Sequence, residues 1–138
     1  MILVPLVLGF KALVVAYATL ACLRARFAPG LGALVIVAAF SLAIPLVVLT
    51  AETAGALVEA VRAYPWAAPL ASTLAGIAAT RVAFRTIDRE PDASPRVAPL
   101  EGAAYALLGS TVLDAGLLAI GVLAAQLASH PSAAVLVP

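Results

Sequence analysis

Asparagine is missing from the chain, and glutamine (Gln126), lysine (Lys11), histidine (His130), cysteine (Cys22) and tryptophan (Trp66) each occur once. Each scarcity closes off a kind of chemistry. A single cysteine permits neither an internal disulfide nor a multi-cysteine metal cluster, and it leaves the redox compartment open. A single histidine cannot supply two facing axial haem ligands, and no further zinc ligands lie near it in the chain. No cofactor and no metal is therefore expected, and His130 reads as an exposed residue at a helix end. Charge is scarce too: 11% of the 138 residues are Asp, Glu, Lys or Arg, against about 25% in an ordinary soluble protein. The net charge of +1 leaves no basic face able to displace many phosphate counterions, which excludes nucleic acid as a partner. The missing amides and the preference for arginine have two readings: depletion of labile side chains in a thermophile, or a GC-rich genome writing a membrane protein.

Motifs of catalysis are also lacking. The chain has no glycine-rich phosphate loop, no nucleophile elbow and no His-Glu metal pair. With four spans and few aromatics it offers too poor a pocket for a chromophore linked to Lys11. The reading leans away from an enzyme without excluding one.

What the sequence has in abundance is apolar surface, 64% of residues and a mean hydropathy of +1.14. This predicts an all-α integral membrane four-helix bundle, one transmembrane domain over residues 1–138, with spans at about 2–23, 31–50, 66–84 and 102–128. Arg24 and Arg26 directly follow the first apolar run. A cleaved leader would carry its positive charge before that run, so the segment reads as a true span with its N-terminus outside. Phe27–Gly30 reads as a turn. In the second span Pro45 removes a backbone donor and frees the carbonyl of Ser41, so a kink relieved by the Ser41 hydroxyl or by a neighbouring helix is expected there.

Glu52 and Glu59 share one helical face, with Leu57, Val58 and Val61 opposite, which suggests a short amphipathic helix or an extension of the second span past the membrane surface. Tyr64 and Trp66 then mark an outer interface. The third span carries small residues at every fourth place (Ala68, Ser72, Gly76, Thr80), a pattern that lets helix backbones approach closely in lipid. Arg81, Arg85 and Arg89 continue its spacing as a cytoplasmic basic stripe, read as positive-inside anchoring with a lipid or acidic partner as the alternative. Residues 86–99 read as a polar loop. Four spans place both arginine-bearing connections on one side and both termini outside, as a multi-pass protein of the cell membrane.

Two charges lie deep in the apolar runs: Lys11 in the first and Asp114 in the fourth. An acid at that depth is uphill by about 2.5–3.5 kcal/mol and requires a partner. The two sit at comparable depth on antiparallel helices, so an intramembrane ion pair is expected, within the fold or between protomers. Ser110 and Asp114 share a small-residue row on the fourth span with Gly121 close by, which reads as a packing seam with a polar lock. Such a pair either fixes which helices assemble or relays a proton or cation. The expectation is a non-catalytic structural or accessory component of a larger membrane complex or homo-oligomer, in contact with lipid and other membrane subunits. The alternative is a small ion- or proton-coupled transporter or channel using Asp114 and Lys11.

Overall fold

The computed structural model describes residues 3–50 and 55–129. Among them all regular structure is helical: α1 (Leu3–Ala25), α2 (Ala28–Thr50), α3 (Gly55–Ala63), α4 (Ala67–Arg89) and α5 (Val97–Ser129). Four of these, α1, α2, α4 and α5, are long and apolar enough to cross a membrane. Helices of 23 residues, as α1, α2 and α4 are, rise by about 35 Å, slightly more than a bilayer's hydrocarbon core.

The distribution of side chains is inverted relative to a protein packed in water. Leu6, Leu13, Val35, Val112, Ile120 and Leu127 all point outward, while Lys11, Ser41, Ser72, Ser110, Thr111 and Asp114 are buried. Lys11 heads the largest fully buried side chains. Exposing that much branched aliphatic surface to water would be costly, whereas against acyl chains it costs nothing.

Pairs of residues fix how the helices run. On α1 and α5, Lys11 meets Asp114, and Ala21 and Gly102 share a cavity, so the sequence rises on one helix as it falls on the other. On α4 and α5, Ser72 meets Asp114 and Phe84 stands edge-on to Tyr105 with ring centroids 6.0 Å apart. α2 packs on both α1 and α4. Neighbouring long helices are therefore antiparallel. Their apolar core is built around Cys22, Phe27, Leu34, Val37, Leu100 and Leu107.

Helix boundaries depart from the sequence reading at three places. Phe27–Gly30 is not a free turn. Pro29 falls in the first turn of α2, where its missing N–H would be unpaired anyway. The reversal is made instead at Arg26, whose φ of 54° is left-handed. Phe27 N–H donates to Cys22 C=O at 2.9 Å and Arg26 N–H to Leu23 C=O at 3.2 Å, the two bonds of a Schellman cap. Gly30 is needed for closeness: a Cβ there would lie 2.6 Å from the Phe27 ring and 2.7 Å from Cys22 Sγ. Since a left-handed arginine is strained and a glycine is not, Arg26→Gly is expected to stabilise the protein by about 0.5–1 kcal/mol. The measurement is the unfolding midpoint in mixed micelles.

The polar loop is also shorter than residues 86–99. Helix α4 continues through Thr86–Arg89 and ends where Glu90 turns extended (φ −77°, ψ 144°), because the residue before Pro91 is disfavoured in helix. Helix α5 starts at Val97 and takes Pro99 into its first turn, where proline is tolerated. Last, the break in α2 takes the form of a π turn over Ala39–Ala43, directly before Pro45. The Ser41 hydroxyl, expected to relieve a backbone carbonyl, is engaged elsewhere, as described below.

Between the spans, α3 half-buries Leu57, Val58 and Val61 and exposes Glu59 and Arg62; Glu52 and His130 lie outside the described residues. Tyr64 and Trp66 stack edge to face at 6.0 Å.

Candidate functional site

Each of the four long helices sends one polar side chain to a single buried point. Lys11 comes from α1, Ser41 from the π turn of α2, Ser72 from α4 and Asp114 from α5. The Lys11 ammonium forms an ion pair with Asp114 Oδ1, both side chains being about 1% exposed. Ser72 Oγ donates to Asp114 Oδ2 at 2.5 Å. Ser41 Oγ lies 3.1 Å from Asp114 Oδ1 and 2.6 Å from Ser72 Oγ. A hydroxyl has one proton, so Ser41 shares its own between the carboxylate and the Ser72 oxygen while Ser72 keeps its proton on Asp114. The carboxylate thus meets donors from three other helices.

The local reason for this convergence is a difference between serine and threonine. Thr73, Thr80 and Thr111 each donate back to the carbonyl four residues earlier, at 2.6–2.7 Å, which satisfies the hydroxyl within its own helix. Ser41 and Ser72 reach across instead. The π turn matters because it changes the angular phase of α2 at that point. Ser110, one turn from Asp114 along α5, is buried at 2% exposure and its hydroxyl has no hydrogen-bond partner among the described residues.

The remaining residues singled out by sequence fall at close approaches or at the surface. A Cβ on Gly76 would run into the Thr111 hydroxyl, so α4 and α5 touch at that glycine. Gly121 sits against the backbone entering α4, where a Cβ would lie 3.1 Å from Pro65 C=O. Gly102, three turns before Asp114 on α5, is exposed and has nothing within 4 Å of such a Cβ. Arg81, Arg85 and Arg89 are exposed along α4 and take no part in the centre. The residue that sequence reasoning underrated is Ser41, weighed only as a local answer to Pro45. The available signal was its placement one turn before a proline, where a helix is most easily distorted.

Chemically the centre can hold an ion pair and pass a proton between hydroxyls and carboxylate. From Ser41 the next space is a cleft of about 270 Å³ lined mostly by apolar groups, among them Ile44, Val48, Val61 and Leu117. Among the described residues no three His, Cys, Asp or Glu side chains come together as metal ligands. No family model matches the chain, and neither a curated protein nor a solved structure is similar to it.

Proposed function

We propose that this chain is a non-catalytic structural component of a membrane assembly, either with other subunits or with copies of itself. In this reading it forms a four-helix bundle with both termini outside and the arginine-bearing end in the cytoplasm. The observation that carries the reading is the convergence of all four spans on Asp114. Its oxygens are occupied by Lys11, Ser41 and Ser72, so the charge pair is used to hold helices in register rather than left open for a substrate. Polar contacts of this kind are the specific glue available in lipid, where apolar bulk drives no association. Small residues support the assembly reading as well: Ala33, Ala75 and Ala78 floor a shallow groove between α2 and α4 that would admit a further helix. Gentle extraction from the native membrane followed by native mass measurement is expected to give a discrete complex heavier than the 13.9 kDa chain. Recovery of the monomer alone, under detergents that preserve known complexes, defeats the reading.

The second reading is a proton-linked transporter, favoured by one observation: Ser41 both touches Asp114 and lines the cleft. It predicts that the purified chain in liposomes dissipates a pH gradient or couples it to solute uptake, and that Lys11→Met/Asp114→Leu abolishes this while still assembling.

A further inference from the structure

Six of the seven arginines lie at one end of the molecule: Arg24, Arg26, Arg81, Arg85, Arg89 and Arg96. They are not equivalent. Arg24, Arg26 and Arg96 surround a cleft of about 500 Å³ where α1 ends and α5 begins. A second cavity, of about 380 Å³, shares Arg24 and Pro99 with the first and runs along the α1–α5 groove, lined by Tyr17, Leu20, Ala21, Ala98 and Gly102. A basic head region therefore opens into a mainly apolar channel on the surface that faces acyl chains. No carboxylate lines either cavity. Glu90 engages Arg96 only loosely, at 3.5 Å on an exposed edge, and Asp88, Asp92 and Glu101 are not in the lining of either.

We infer that this paired cavity binds one anionic phospholipid, its phosphate among Arg24, Arg26 and Arg96 and an acyl chain in the groove along Ala21 and Gly102. Guanidinium groups pair with phosphate through two parallel hydrogen bonds, and the N-terminus of α5 adds the positive end of its dipole. A zwitterionic lipid would place a cation among three arginines and is disfavoured. The stripe Arg81, Arg85 and Arg89 has the same charge, but none of its arginines is in the wall of the apolar groove that runs by Ala78 and Val82, so it attracts anionic lipid without retaining it. The inference stands apart from the role proposed above, since it concerns the opposite face of the α1–α5 pair from the buried centre's partners.

The test is native mass spectrometry of the full-length chain in detergent with equimolar dioleoyl-phosphatidylglycerol and dioleoyl-phosphatidylcholine. The wild type is expected to retain phosphatidylglycerol about tenfold over phosphatidylcholine, with Arg24→Gln/Arg96→Gln bringing the ratio close to unity. Arg81→Gln/Arg85→Gln, which removes equal charge, is expected to leave the ratio within about twofold of wild type. Gly102→Leu keeps every arginine and fills the groove at an open position; it is expected to lose phosphatidylglycerol retention, and it decides the matter if the double variant does not fold. Equal retention of the two lipids overturns the inference, as does an equal loss in the stripe variant. Displacement of the lipid by glycerol phosphate at the same concentration would mean a phosphate site without a lipid, and overturns it too.

Discussion

Asp114→Leu, with Lys11 unchanged, is expected to destabilise the protein by about 3–5 kcal/mol, because it strands an ammonium in a site where the described residues supply no other buried acid. Lys11→Met is expected to cost less, since Ser41 and Ser72 still donate to the carboxylate left behind. The double variant Lys11→Met/Asp114→Leu is expected to recover most of the loss. It removes both charges together, and breaking one partner of a buried pair is worse than replacing both. The measurement is a double-mutant cycle on unfolding in mixed micelles, where a coupling of about 1–3 kcal/mol identifies a direct interaction. A double variant no more stable than Asp114→Leu would show that the carboxylate's bonds to the two serines, not its pairing with lysine, hold the helices. Either result bears on the role of the chain, because a carrier requires the charges even when the fold does not.

Gly76→Leu is expected to be the most damaging change outside the polar centre. The α4–α5 seam is the most extensive helix contact in the molecule, and at Gly76 there is no room even for a methyl group beside Thr111. Forcing an isobutyl group into it must separate the helices, at a cost of about 3 kcal/mol or more. Such a separation would also pull Ser72 from Asp114, one turn further along the same seam. Gly76→Ala is milder, and Thr111→Ala should largely rescue it by removing the hydroxyl that the new methyl meets. Unfolding midpoints of the two single variants and the pair test this; additive losses would place the obstruction elsewhere than at Thr111.

How much of this could be read in advance differs from feature to feature. Four long apolar helices follow from composition and run length, because lipid forces every backbone group to be satisfied within its own helix. Helix ends fall too early or too late in sequence wherever polarity stands in for irregularity. Thr86–Arg89 is polar but contains no breaker, and the helix continues until Pro91 forbids it. Conversely Pro29 and Pro99 look like loop residues and sit in first turns. That Lys11 and Asp114 lie at similar depth is a matter of counting residues along two antiparallel helices. The place of Ser41 is not. It depends on a turn of non-standard pitch, and periodicity arguments that assume a constant advance per residue put its side chain in the wrong direction. Nor could the difference between Arg24/Arg96 and Arg81/Arg85 be seen in spacing, because it lies in what surrounds each pair on other helices.

The widened turn at Ala39–Ala43 has a consequence for how the chain tolerates length changes. It accommodates about one residue more than a regular helix would over the same rise, and each residue of an α-helix advances the side-chain direction by about 100°. A chain shortened by a single residue in this segment could therefore wind a regular helix. Everything beyond it, from Ile44 to Thr50, would then keep its orientation, with Val48 still in the wall of the cleft, because the five residues of the widened turn cover about the rotation that a regular helix covers with four. A single-residue deletion that spares Ser41 is thus predicted to be tolerated better here than in an unbroken stretch of the same span, where it would rotate everything beyond it by about 100°.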